Sequence, residues 1–249
     1  MKVHYHGMSS GGGTVEDALR LSAGRHVFVS YADAGRLEVL SKVCSTFALD
    51  NGAYSAWRSG KEYDFGGYER FVREWHRHPA YDWCVIPDVI DGGEEENDEW
   101  LERWPAELGG VPVWHMDESL DRLDRLVSGY GRLALGSSGV YDQVGTEGWW
   151  SRMGEALEVI CDEEGRPRVK LHGMRMLNWR IFTKLPLSSA DSTNAERNAM
   201  EKTRVNRGWS YRPRSRGQRA NVIAWVVESH QSAETWEPTL QEELALEYG

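Results

Sequence analysis

Short apolar runs of strand length alternate along the chain with segments of helical periodicity. The predicted strands cover residues 2–6, 26–30, 46–49, 83–86, 111–114, 132–135, 168–171, 186–190 and 221–227. The predicted helices cover residues 15–23, 67–76, 94–108, 119–127, 147–163 and 239–247. This repeated strand–helix order is typical of parallel α/β proteins. It predicts one TIM-like (β/α)8 barrel over residues 1–249, with a doubly wound open sheet as the alternative.

Length and composition narrow the class of protein. The 249 residues suffice for one large core, and no apolar run approaches the roughly 20 residues that cross a bilayer. The N-terminus also lacks the long apolar core of a signal peptide, so we expect a soluble cytoplasmic protein with no membrane partner. No G-x-G-x-x-G motif follows the first strand, which gives a dinucleotide-binding sheet no support.

The charge is unevenly distributed. The chain carries a formal net charge of −10, which argues against a general polyanion-binding surface. A basic segment at 202–219 nevertheless contains no acidic residue. Its members are Lys202, Arg204, Arg207, Arg212, Arg214, Arg216 and Arg219. Such a strip on an acidic body is expected to contact phosphates at one place, although a solvated loop is an equally good interpretation.

Polar residues follow the apolar runs at the positions where strands end. They are Asp50, Asp88, His115, Gly136 with Ser137, His172 with Gly173, and Asp191. In a barrel these strand ends surround a single pocket, where neighbouring carboxylates raise one another's pKa. A single Asp at a strand end is more often a helix cap or a turn residue. Several on successive units instead suggest acid–base or nucleophilic chemistry at a sugar-like carbon.

Several of these segments resemble a known family. The run Phe47-Ala48-Leu49-Asp50-Asn51-Gly52-Ala53-Tyr54-Ser55-Ala56-Trp57 is similar to the L-D-S-G-A-F-S-A-W strand end of phage and bacterial DNA transglycosylase-like proteins, within the tRNA-guanine transglycosylase-like superfamily. Weaker similarities follow in the same order: Val85-Ile86-Pro87-Asp88, Leu133-Ala134-Leu135-Gly136-Ser137, Val169-Lys170-Leu171-His172-Gly173-Met174 and Ser189-Ala190-Asp191-Ser192-Thr193. The resemblance covers about residues 46–197.

The resemblance implies roles for individual residues. Asp191 would be the nucleophile that attacks C1′ of a nucleotide, and Asp50 an acid–base or substrate-holding carboxylate. Asp88 would bind the edge of a base. The remaining substrate contacts would come from backbone N–H groups of Gly136 and Ser137, from stacking by Tyr54, Trp57 or Met174, and from the strand-end His115 and His172.

The chain also departs from that family. No cysteine follows Cys161, so we expect no zinc-binding subdomain, no bound metal and no cofactor. Without such a subdomain DNA becomes a more plausible partner than tRNA, with a free or modified base as the second ligand. The basic segment would hold phosphates, and Trp209 or Tyr211 could wedge into the stack as a base is flipped out. Base exchange and base excision both stay open.

Two other functions fit the same residues. His4 and His6 point to one side of the first strand and, with His115, His172 and Asp191, could form a metal-dependent hydrolase site of the amidohydrolase type. An ordinary alternating strand also explains the His4/His6 pair. The third candidate is an inactive barrel that senses a nucleotide or a modified base.

Overall fold

Parallel strands curl around a column of inward-facing side chains in the computed structural model, which describes residues 1–7, 13–200 and 213–231. The strands are β1 (Lys2–Tyr5), β2 (His26–Ser30), β3 (Thr46–Asp50), β4 (Tyr81–Cys84), β5 (Val113–His115), β6 (Arg132–Gly136), β7 (Lys170–Gly173) and β8 (Ser189–Ser192). Their order in the sheet is β4-β3-β2-β1-β8-β7-β6-β5. A parallel bridge between Val85, just after β4, and Val111, just before β5, joins the two strands at the ends of this order. The predicted TIM-like barrel is therefore confirmed, and the open-sheet alternative is wrong.

Helices cover the outside of the barrel between the strands. They are α1 (Val15–Ser22), α2 (Leu37–Leu40), α3 (Ala53–Arg58), α4 (Phe65–Trp75), α5 (Glu94–Arg103), α6 (Leu120–Gly129), α7 (Glu147–Ile160), α8 (Trp179–Phe182), α9 (Asn194–Asn198) and α10 (Arg216–Glu228). Short 3-10 helices lie at Tyr31–Arg36, Ala106–Leu108 and Gly139–Tyr141. Side chains of Thr14, Ser119 and Thr146 cap α1, α6 and α7, which fixes where these helices begin.

Alternation along the strands divides the buried side chains into two groups. Outward residues such as Val27, Leu49 and Leu133 join the large core beneath the helices. Inward residues fill the barrel itself: Phe28, Ala48, Trp83, Val85, Val111, Val113 and Ala134. Side chains alternate along a strand with a period of two, so every second residue points into the barrel. The last inward-pointing residue of each strand therefore lies at the carboxyl end of the barrel. That end is where the candidate site lies.

Some predicted elements differ from the observed ones. Residues 221–227 form part of helix α10 and not a strand, because their apolar side chains pack on one helical face that includes Ala220, Ala224 and Val227. The helix predicted over 94–108 ends at Arg103 and is followed by a 3-10 turn. The helix predicted over 239–247 lies outside the described residues. Within the described residues, no helix is long and apolar enough to span a membrane.

Candidate active site

The carboxyl ends of the strands bring most of the predicted site residues together. Asp50 is the last residue of β3, His115 ends β5, and Asp191 lies in β8. The strand-end residues interact in two groups. One joins Asp191 to His6, which directly follows β1, and to His172 in β7, and the other joins Asp88 to His115. The predicted convergence of these side chains is therefore seen in the structure.

Asp191 is a buried carboxylate held by donors on both oxygens. Its Oδ2 lies 2.8 Å from His6 Nε2, and its Oδ1 accepts the backbone N–H of Arg175 at 3.0 Å. His172 Nε2 lies 3.3 Å from the same Oδ1. Burial opposes ionisation, but the two imidazoles outweigh it and hold the pKa of Asp191 well below its usual range. The side chain is therefore a fixed negative charge at the centre of the site.

Asp191 influences the pKa of Asp50, but the pKa of Asp50 is shifted in the opposite direction to that of Asp191. Burial raises the pKa of Asp50 to about 6, and repulsion from Asp191 and Asp88 adds to this effect. Ser30, its register partner on β2, and His6 act in the lowering direction without cancelling it. A carboxyl group with this pKa is partly protonated near neutral pH and can donate or accept a proton.

The chain turns sharply after Asp50. Gly52 has φ +76, and a Cβ there would approach the backbone nitrogen of Ala32 to 3.1 Å. Asn51 is buried, and its side-chain oxygen accepts the N–H of Ala53 at 2.8 Å. The Asn51 amide also donates to Asp88 Oδ1 at 2.6 Å. Asn51 therefore both shapes the turn and orients a second carboxylate.

Asp88 and His115 form the second group of the site. Asp88 Oδ2 lies 2.9 Å from His115 Nε2. Burial works against a charged imidazole, but the hydrogen bond to Asp88 and the nearby carboxylates of Glu118 and Asp117 outweigh it and raise the pKa of His115. Asp88 and His115 therefore form a hydrogen-bonded pair with little solvent around it, in which Asp88 favours the charged form of the imidazole.

A buried polar network supports this pair from behind. Glu118 accepts the backbone N–H of His115 at 2.8 Å and an N–H of Arg122 at 2.6 Å. Its other oxygen accepts from Asn97 at 2.9 Å, and Asn97 in turn accepts the backbone N–H of Val89 at 2.7 Å. The network thus ties the loop that carries Asp88 to the strand end that carries His115.

The remaining residues predicted to contact the substrate differ in their burial and in their hydrogen-bond partners. Gly136 is closely surrounded, since a Cβ there would lie 3.2 Å from His115 Nδ1 and a neighbour would have to shift slightly. The Ser137 hydroxyl is buried and accepts the indole N–H of Trp149 at 3.0 Å, so it serves packing. Met174 packs against the barrel interior. His172 is fully buried, and its Nδ1 is hydrogen-bonded to the Ser189 hydroxyl at 2.8 Å. This hydrogen bond fixes the imidazole whose Nε2 faces Asp191.

Tyr54 and Trp57 lie on helix α3, which begins directly after the Gly52 turn. Their side chains are 49% and 47% exposed, and their ring centroids are 5.7 Å apart at an interplanar angle of 36°. Large exposed aromatic side chains at the mouth of a barrel provide stacking surfaces for a planar ligand. Their placement is compatible with the predicted stacking role.

The basic segment is described in part. Its members Lys202, Arg204, Arg207 and Arg212, with Trp209 and Tyr211, lie outside the described residues. Arg214 is exposed and Arg216 half-buried at the start of α10. Arg219 is buried and donates to the carbonyls of Ala199 and Arg214. Arg219 therefore stabilises the fold, and its assignment as a surface phosphate contact is wrong.

The two N-terminal histidines have different surroundings. Both point inward, as the strand periodicity predicts, but His4 is fully buried among the rings of Phe28, Trp83 and His172. Burial lowers the pKa of His4 well below its usual value. Among the described residues no group of three or more His, Cys, Asp or Glu side chains is arranged to hold a metal ion.

Two features of the site were missed from the sequence. The first is the pairing of His6 with Asp191, which depends on the register of β1 against β8. The second is Arg175, whose φ of +59 is the one left-handed value of a non-glycine residue in the described part of the chain. Such a conformation costs about 1–2 kcal/mol and is often found at functional sites. Its position after the strand-end pair His172-Gly173 was the available signal.

Comparisons with known proteins give a fold and no family. No family model matches the chain, and no curated protein matches it. Among solved structures, a protein described as a candidate fructose-1,6-biphosphate aldolase of Coccidioides immitis matches with a TM-score of 0.51 and 14% sequence identity. The match covers 92% of this chain and 87% of that one. The chain thus shares an α/β barrel fold with that protein.

These comparisons correct one sequence-based identification. The segments around Asp50 and Asp191 resemble transglycosylases, but the chain matches no family model and the solved structure reported above is described as an aldolase. Membership of the transglycosylase superfamily is therefore wrong as an identification.

Proposed function

We propose that this chain is an enzyme that breaks the N-glycosidic bond of a base in DNA, with base exchange or excision as the outcome. One observation carries the proposal: two carboxyl groups in the same pocket have pKa values displaced in opposite directions. Asp191 stays ionised, while the pKa of Asp50 rises to about 6. Pairs of this kind divide acid and nucleophile roles in glycosidic chemistry.

The proposed reaction assigns one role to each carboxyl group. Protonated Asp50 donates its proton to the leaving base as the C1′–N bond breaks, and the bonding electrons stay on the base nitrogen. The Asp191 carboxylate stabilises the developing positive charge and forms an ester bond to C1′. Water or a second base then attacks C1′, Asp191 departs as carboxylate, and Asp50 takes up the proton released by the attacking group.

The other side chains supply recognition in this proposal. Asp88 and His115 offer an acceptor and donors at a position where the edge of a base could bind. Tyr54 and Trp57 offer exposed rings for stacking. Recognition of an extruded base combines these two kinds of contact. The DNA backbone would be held by cations near the mouth of the site.

The experiment is incubation of the protein with DNA that carries normal or modified bases, followed by nucleoside mass spectrometry. We expect loss or exchange of one base by the wild-type chain, and a decrease of at least about 100-fold for Asp50→Asn and Asp191→Asn. Glu158→Gln is the matched control, because Glu158 is exposed on α7. Unchanged nucleoside composition on every DNA tested would reject the proposal.

A further inference from the structure

Arg175 connects three strand ends at the mouth of the barrel. It follows β7, its backbone N–H donates to Asp191 Oδ1 in β8, and its guanidinium Nη2 donates to the carbonyl of Ser137 just after β6. The distances are 3.0 Å and 2.9 Å. The left-handed backbone conformation makes the first contact possible, and the second holds the side chain across the end of β7.

Arg175 combines a backbone N–H that binds the buried Asp191 carboxylate with a side chain that reaches across to Ser137. Arg175 is an exposed residue, and the bond to Ser137 is the guanidinium's one hydrogen bond within the described residues. Arginine carries several N–H donors in a planar fork that fits phosphate oxygens. The arrangement therefore leaves donors available to a ligand that lies over Asp191.

The position in the fold agrees with this chemistry. In TIM-type barrels the loops after the seventh and eighth strands often form the phosphate-binding part of the active site. Arg175 lies in the loop after β7, whereas Arg219 from the basic segment is buried away from solvent. Among the described residues, Arg175 is thus the arginine whose backbone hydrogen-bonds the reacting carboxylate.

We propose that Arg175 binds a phosphate group of the substrate, next to the sugar whose C1′ faces Asp191. This inference rests on the proposed function for the identity of the sugar. The phosphate belongs either to the phosphodiester backbone of DNA or to a free nucleotide. In both cases Arg175 fixes the sugar relative to Asp191, so it selects phosphorylated substrates over plain nucleosides.

The test compares ligands with and without phosphate by calorimetric titration. The probes are the four common deoxynucleosides, their 5′-monophosphates and a mixed-sequence single-stranded deoxyoligonucleotide. Arg175→Gly removes the guanidinium but keeps the backbone N–H to Asp191 and accommodates the left-handed conformation. Arg175→Lys keeps a charge without the fork. Arg77→Ala is the charge-matched control, because Arg77 is exposed and precedes β4 at the opposite end of the barrel.

For wild type and Arg77→Ala we expect at least one phosphorylated probe to bind about tenfold or more tightly than its nucleoside. Arg175→Gly should lose that preference while its thermal midpoint stays the same or rises, and Arg175→Lys should keep part of it. Preference for the oligonucleotide over the monophosphates would identify the backbone as the source. Equal binding of monophosphates, oligonucleotide and nucleosides by wild type, or an unchanged preference in Arg175→Gly, would overturn the inference. Phosphate preference without base release would instead reject only the proposed reaction.

Discussion

The carboxyl groups of Asp50 and Asp191 show how two identical side chains acquire different chemistry in one pocket. Asp191 has an imidazole on each side and a backbone N–H, so its charge is compensated where water is excluded. Asp50 is desolvated with less compensation, and repulsion from Asp191 adds to the effect. The pKa values of the two carboxyl groups are therefore shifted in opposite directions by their neighbours, although the side chains are of one type.

The raised pKa of Asp50 predicts a stability change with a definite sign. The unfolded chain loses this proton near pH 3.8 and the folded chain near about 6, so ionisation of Asp50 costs stability as the pH rises between these values. We expect Asp50→Asn to be more stable than wild type at pH 7.5 by about 3 kcal/mol, and equally stable at pH 3.5. Urea unfolding at both pH values measures this. A less stable Asp50→Asn at pH 7.5 would contradict it.

Asp191→Asn should behave in the opposite way. Because the folded-state pKa of Asp191 is depressed, its charge stabilises the fold at pH values above its unfolded pKa, and this contribution is lost as the pH falls. Removing the charge leaves His6 and His172 without their carboxylate, at a cost of about 3 kcal/mol near pH 7. The deficit should narrow only below about pH 4. Thermal unfolding across pH 3–8 measures it, and a neutral effect at pH 7 would contradict the assignment.

At the scale of elements, the loops after β4 and β5 act as one unit. Glu118 lies at the centre of the network, in contact with the backbone of His115, with Arg122 and with Asn97. Arg122 is 1% exposed, and the carboxylates of Glu118 and Asp98 together compensate its buried guanidinium charge. This network explains how the Asp88–His115 pair stays in place without belonging to a single strand.

The network predicts an effect on both stability and titration. Glu118→Gln leaves Arg122 with Asp98 as its remaining carboxylate partner and should cost about 3 kcal/mol. It should also lower the pKa of His115, since Glu118 is one of the carboxylates that raise it. Denaturant unfolding and an NMR titration of the His115 ring measure the two effects. Glu102→Gln on the exposed side of α5 is the control, and an unchanged His115 titration would contradict the coupling.

Elements also show where sequence reasoning succeeds and fails. A strand was predicted at or overlapping each of β1 to β8, because short apolar runs there are followed by polar residues, although the predicted bounds 83–86, 168–171 and 186–190 lie up to three residues from those observed. Residues 221–227 have the same appearance, yet they lie in α10, where tertiary packing buries Ala220, Ala224 and Val227. The capping box of Ser215 and Gln218 marks the start of that helix, and this pattern was the overlooked signal.

For the whole molecule, the barrel topology predicts where the site lies. It does not predict which side chains of the site contact one another. Any parallel barrel brings Asp50, Asp88, His115 and Asp191 to one end, so their convergence follows from the strand order. The contacts of His6 and Arg175 with Asp191 depend on register and on one left-handed residue, which periodicity does not encode. The burial of Arg219 likewise depends on how α10 packs against the segment that ends at Ala199.

In the proposed reaction, Asp191 forms an ester bond with the sugar while Asp50 protonates the leaving base. The most direct measurement is acid quenching of the protein during reaction with DNA, followed by proteolysis and mass spectrometry of the peptide that contains Asp191. We expect a deoxyribose-linked ester on Asp191 in the wild-type chain and none in Asp191→Asn. Base release with no sugar on Asp191, or a sugar attached to another residue, would contradict it.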